Sequence, residues 1–74
     1  MNIDKEKITK ILDSRICDTS NIIIYIFNNK KQIKKYKSKI RWLNKDIILL
    51  TADDILNYGL DGFRIKDYKF IDEE

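Results

Sequence analysis

This chain of 74 residues contains no histidine, no proline, one cysteine and two glycines. Without histidine and with a single cysteine, it cannot build the usual zinc site, and histidine-based general acid–base catalysis is excluded. Cys17 has no partner for an internal disulfide, and we expect it to be a small buried side chain. No serine or cysteine has a histidine to activate it, so we expect no enzymatic activity, no metal ion and no cofactor.

Long apolar runs are also absent from the sequence. The longest, Ile22 to Phe27, has six residues, whereas a helix that spans a bilayer needs about 20. Charged residues alternate with the isoleucines between Met1 and Leu12, which is not the pattern of a signal peptide. We therefore expect an intracellular, cytoplasmic protein with no membrane segment.

The composition is that of one small folded domain, residues 1–74. Hydrophobic residues make up 43% of the chain and charged residues 36%, which is enough apolar material for a core and argues against wholesale disorder. The chain has fifteen isoleucines, twelve lysines and six asparagines. An AT-rich genome produces this bias without functional pressure, and the bias favours an origin in a phage or another mobile element.

Hydrophobic spacing and turn residues divide the chain into alternating helices and strands. Apolar residues three and four apart indicate helices, continuous β-branched runs indicate buried strands, and short polar side chains or glycine mark their ends. The predicted order is a helix from Asp4 to Ile16, a central strand Ile22 to Phe27, a helix from Lys30 to Asn44, a buried strand Ile47 to Leu50, a short helix that starts at Thr51 and ends before Gly59, and extended segments Phe63 to Ile65 and Tyr68 to Ile71.

Two buried strands separated by one helix predict a βαβ unit with parallel strands and a right-handed crossover. The predicted fold class is therefore α/β. We expect a small, largely parallel sheet of three or four strands with two to three helices, in the order α-β-α-β-α-β.

The segment from Lys30 to Lys45 contains eight basic residues and no acidic one. Its apolar residues form one stripe along the predicted helix, which leaves the basic side chains on the outer face. The stripe consists of Ile33, Tyr36, Ile40 and Leu43. Trp42 lies off the stripe, where it either anchors a partner or closes the edge of a small core. The candidate binding residues are Lys30, Lys31, Lys34, Lys35, Lys37, Arg41, Trp42 and Lys45.

Three interpretations of this basic segment stay open. In the first, a non-enzymatic interaction protein binds and modulates, by inhibition for example, a host or viral protein with an acidic surface. In the second, a nucleic-acid-binding accessory protein places Lys30 to Lys45 on phosphates and stacks a base on Tyr36 or Trp42. In the third, the charges are a solvated helix face produced by genome bias.

The acidic residues of the chain bear on this choice. Residues 1–45 contain twelve basic and four acidic side chains, whereas residues 46–74 contain three basic and eight acidic ones. If Asp53, Asp54 and Asp61 lie against the basic helix, the molecule neutralises itself. If they lie elsewhere, the basic charge is available to a partner.

The C-terminal sequence Phe70-Ile71-Asp72-Glu73 is an apolar strand that ends in two acids, and it looks like a Walker B element. Together with the two strands before it, the segment of residues 20–73 resembles the part of phage terminase-like and helicase-like P-loop NTPases that ends in this motif. The chain lacks the Gly-rich turn and the Lys-Ser or Lys-Thr pair that cradle phosphates, since Gly59 and Gly62 do not supply them. The resemblance therefore implies a catalytically inactive, truncated relative of such a domain.

Overall fold

The computed structural model describes residues 4–71, which fold into three helices and a three-stranded parallel sheet. The α/β class and the α-β-α-β-α-β order are confirmed. The elements are α1 (Lys5–Asp13), β1 (Ile23–Phe27), α2 (Lys30–Lys39), β2 (Ile47–Thr51), α3 (Ala52–Tyr58) and β3 (Asp67–Phe70).

The sheet has the strand order β2-β1-β3, so the predicted central strand is confirmed. Ile23 lies opposite Ile47 of β2 and opposite Asp67 of β3. The predicted strand at Ile47 to Leu50 is confirmed as part of β2, but the prediction that it is buried is wrong. All four of these side chains are only half-buried, because β2 is an edge strand and has a neighbour on one side only.

One face of the sheet packs against α1 and α3 and holds the main core. Successive side chains of a strand point to opposite faces, and Ile24 and Ile26 of β1 lie on this one. They form one cluster with fully buried side chains of the two helices, among them Ile8, Leu12 and Ile55. The hydrophobic effect acts mainly here, since burying one such side chain stabilises the fold by about 1.5–3 kcal/mol.

The other face packs against α2 and is held largely by aromatic contacts. The Tyr36 ring of α2 lies 5.3 Å from the Phe27 ring and 6.1 Å from the Tyr25 ring, both in edge-to-face geometry. Ile33 is half-buried beside them, and α2 has no fully buried residue. The second layer of the fold is therefore thinner than the first.

Helix α2 is shorter than predicted, because it ends at Lys39 and not at Asn44. Ile40 is already extended, with φ −108° and ψ 140°. A helix of ten residues is about 15 Å long, which matches the roughly 17 Å of a five-residue strand. A helix that continued to Asn44 would overshoot the sheet and leave two residues to reach β2.

Helix α1 also ends early, at Asp13 instead of Ile16, because the following residues pair with the chain before β3. The Ile65 N–H donates to the Arg15 carbonyl, and the Cys17 N–H donates to the Ile65 carbonyl. This bridge ties Ile16 to Ile65 in parallel. The predicted extended segment Phe63 to Ile65 therefore contributes a single bridge, and the third strand begins at Asp67.

The short helix α3 has the ends that the sequence predicts. The Asp54 N–H donates to Thr51 Oγ1 at 3.1 Å, and the Thr51 N–H donates to Asp54 Oδ2 at 3.5 Å, which together make a capping box. Gly59 ends the helix with a positive φ of 67°. Glycine is suited to that position because residues with a Cβ rarely adopt a positive φ.

Candidate binding surface

The predicted binding residues lie on α2 and in the connection from α2 to β2. We call this set the basic surface: Lys30, Lys31, Lys34, Lys35, Lys37, Arg41, Trp42 and Lys45. All eight side chains are exposed. The structure places the five lysines on the helix. Arg41 and Trp42, which were predicted to be helical, lie with Lys45 in the 40–46 connection.

The start of α2 is formed by two asparagines at the carboxyl end of β1. The Gln32 N–H donates to Asn29 Oδ1 at 2.9 Å, and the Asn28 N–H donates to Gln32 Oε1 at 3.2 Å. The first turn carries Lys30 and Lys31 and has no acidic residue. Cations at this end are unfavourable, because the exposed N–H groups of a helix start carry partial positive charge.

The connection after α2 exposes the single tryptophan of the chain. Trp42 is 78% exposed, so the alternative in which it closes the core edge is wrong. Ile40 and Leu43 on either side of it are half-buried, whereas Arg41 and Trp42 are exposed. Arg41 and Trp42 are therefore adjacent exposed side chains in the connection that leads into β2.

The acidic side chains of α3 do not lie against the basic surface. α3 packs with α1 on one face of the sheet, and α2 packs on the other face. Asp53 and Asp54 are therefore separated from the lysines of α2 by the sheet. These two acids therefore do not neutralise the lysines of α2, which is the arrangement that leaves the basic charge available to a partner.

Two features of the molecule were not part of the predicted binding site. Lys39 is exposed in the last turn of α2 and extends the basic surface toward Arg41. A groove of about 230 Å³ lies on the α3 side of β2. It is lined by Ile24, Ile48, Leu50, Asp54, Tyr58, Gly59, Leu60 and Phe63. No sequence motif predicts the groove, because its residues come from four separate parts of the chain.

Cys17 is half-buried, so the expectation of a buried filler is wrong. Its Sγ lies 3.1 Å from Thr19 Oγ1. Hydrogen bonds from the Thr19 side chain and backbone lower the pKa of the Cys17 thiol, and the nearby Arg64 guanidinium acts in the same direction. Residues 4–71 contain no group of three or more acidic or cysteine side chains that could hold a metal ion.

The second acid-rich feature of the sequence, Asp72-Glu73, lies outside the described residues. No protein-family model, curated protein or solved structure matches this chain. The resemblance of residues 20–73 to P-loop NTPases therefore stays a prediction. No helix among the described residues has the length and apolar character that crossing a bilayer requires.

Proposed function

We propose that this protein acts inside the cell as a non-enzymatic interaction protein, and that the basic surface binds a partner protein with an acidic surface. The observation that supports the proposal is the exposed Trp42 beside Arg41, next to a helix with six exposed lysines. An exposed aromatic anchor surrounded by charge is the usual anatomy of a protein–protein hot spot and its rim.

The energetics of α2 support the same proposal. Lysines three and four apart repel each other by a few tenths of a kcal/mol per pair, and Lys30 and Lys31 also oppose the helix dipole. These charges weaken the helix on which they lie. An acidic partner would relieve both costs, and long-range attraction would speed its association.

The sequence favours a protein over a nucleic acid as the partner, because the basic segment is not accompanied by a helix-turn-helix signature, ribonucleoprotein aromatics or a Gly-rich RNA-clamping loop. Base stacking on Trp42 is the feature that supports the alternative, a nucleic-acid-binding accessory protein. Modulation of a host or viral target, and origin in a phage or mobile element, are part of the proposal and rest on composition.

Capture from extracts of cells that carry the gene tests the proposal. The tagged chain is incubated with nuclease-treated extract, and bound proteins are identified and then reconstituted with the purified chain. We expect an acidic protein that is lost with Trp42→Ala and with Lys34→Glu/Arg41→Glu. The control Lys7→Glu/Lys10→Glu changes the net charge equally on α1, across the sheet, and should retain the partner.

Two results would contradict the proposed function. If the purified chain shifts DNA or RNA at physiological salt, and the affinity falls steeply as salt rises, the nucleic-acid function replaces the proposed one. Loss of the captured protein with the α1 control would show that total charge, not the basic surface, causes the binding.

A further inference from the structure

The two edges of the sheet differ in how they are protected. The edge strand β3 carries exposed Asp67 and Lys69, and such charges are a usual way to prevent pairing with another strand. The other edge strand, β2, has the sequence Ile-Ile-Leu-Leu-Thr and no charge within it. An apolar edge of this kind pairs readily unless something covers it.

The hydrogen bonds around β2 leave one residue open to pairing. The Ile23 N–H donates to the Asp46 carbonyl, so the backbone groups of Asp46 face β1. The backbone groups of alternate residues in a strand point to opposite edges. The N–H and carbonyl groups of Ile47, Leu49 and Thr51 therefore point away from β1. The Ile47 N–H donates to the Asn44 carbonyl, and the Thr51 N–H donates to Asp54. Among the described residues, neither the N–H nor the carbonyl of Leu49 has a partner at this edge.

The groove runs beside this edge on the α3 side. Its lining includes Ile48 and Leu50 of β2 together with Tyr58 and Phe63, whose surfaces are 81% and 42% exposed. Exposed apolar side chains that lie together around one groove mark an interaction site.

We propose that the chain forms a two-fold symmetric dimer in which β2 pairs antiparallel with β2 of a second copy, centred on Leu49. In this register the two Leu49 residues exchange both their N–H···O=C bonds, as in a hydrogen-bonded antiparallel pair. Ile48 then lies opposite Leu50 of the second copy, on the same face of the sheet. The two grooves therefore meet, and the contact is self-complementary, as two-fold symmetry requires.

Charge complementarity indicates that the strand pairing with β2 belongs to a second copy of the chain. The amino end of β2 follows Lys45, and its carboxyl end leads into Asp53. An antiparallel pairing centred on Leu49 brings the Lys45 end of each strand to the Asp53 end of the other, so opposite charges meet at both ends of the apolar contact. A parallel pairing would instead place like charges together.

The dimer has a consequence for the basic surface, although the inference does not rest on the proposed function. Cross-strand neighbours share a face of a sheet, so both α2 helices would lie on the same side of a six-stranded sheet. A dimer would therefore present the basic surface twice in one direction. Two linked surfaces bind a repeated or extended partner more tightly than one.

Cysteine cross-linking tests the register. Leu49→Cys in a Cys17→Ser background should form a disulfide-linked dimer of twice 8.9 kDa under mild oxidation, because Cα atoms of a hydrogen-bonded antiparallel pair are about 5.5 Å apart, within disulfide range. Lys69→Cys in the same background is the matched control on the other edge strand, and it should stay monomeric. Sedimentation equilibrium of the unmodified chain gives the dimer constant.

Charge exchange tests the flanking pairs. Asp53→Lys should weaken the dimer about tenfold, since two attractions per dimer become repulsions, and adding Lys45→Asp should restore it. A chain that sediments as a monomer and does not cross-link at position 49 overturns the proposal. So does a dimer that neither cross-links at position 49 nor responds to the charge exchange, because it must use another surface.

Discussion

The two faces of the sheet bury their apolar side chains to different depths. On the α1 and α3 face, helix and strand side chains such as Leu12, Ile26 and Ile55 are fully buried in one cluster. On the α2 face, Phe27 is fully buried, but the helix covering it contributes only half-buried side chains. One face therefore provides most of the stability, and the other carries an exposed charged helix with a small contact area.

This difference shows how a very small domain can carry a costly charged surface. A chain of this length buries roughly 60% of its unfolded surface, so its stability is marginal. The repulsion among the lysines of α2 affects the element that contributes least to the core. The main cluster, on the other side of the sheet, is shielded from it.

The largest expected effect distinguishes the two faces directly. Ile55→Ala should destabilise the protein by about 2–5 kcal/mol, because it opens a cavity in the fully buried cluster. Ile33→Ala should cost about 1 kcal/mol at most, since Ile33 is half-buried and alanine favours the helix. Urea unfolding followed by circular dichroism measures both changes. Equal losses at the two sites would show that the two faces contribute equally.

A smaller effect is expected from the aromatic contacts of α2. Tyr36→Leu keeps an apolar side chain but removes the edge-to-face contacts with Tyr25 and Phe27, each worth about 0.5–1.5 kcal/mol. Added salt should stabilise the variant and the unmodified chain by similar amounts, because screening relieves the same lysine repulsion in both. Urea unfolding at low and high ionic strength checks this. No loss of stability would mean that Tyr36 only fills space.

The smallest expected effect belongs to the α1 side and depends on pH. The Tyr68 hydroxyl donates to Asp13 Oδ1 at 2.8 Å, and this bond, together with partial burial, raises the pKa of Tyr68 above its usual value of 10.0. A raised pKa in the folded state contributes stability that is present below about pH 10 and is lost as pH rises through the folded value.

Tyr68→Phe removes that dependence. Its melting temperature should be slightly lower at neutral pH, and the gap to the unmodified chain should close above pH 10, where the tyrosine ionises. Thermal unfolding measured between pH 7 and pH 11 gives both curves. A gap that stays constant throughout this range would show that the hydrogen bond to Asp13 contributes nothing to stability.

Local signals in the sequence were sufficient for much of the fold. The continuous run Ile22 to Phe27 predicted the central strand, and the Thr51 capping box with Gly59 predicted both ends of α3. These features depend on neighbouring residues only. The end of α2 was missed because helical periodicity continues to Leu43, while the length of the sheet ends the helix at Lys39.

The candidate site divides in the same way. The lysines, Arg41 and Trp42 were identified from composition and spacing, and the exposure of the lysines follows from the predicted stripe. The groove beside β2 and the open edge at Leu49 were not identified. A run such as Ile47 to Leu50 has the same pattern at the centre of a sheet and at its edge.

The sequence by itself determined the class, the order of the elements, the basic helix and the absence of histidine chemistry, because each of these follows from residue type and short-range spacing. Only the tertiary structure decided that α3 and its acids lie across the sheet from the lysines, that Trp42 is exposed, and that β2 is an edge. These depend on which strands become neighbours, and strand order is set by the packing of the whole chain.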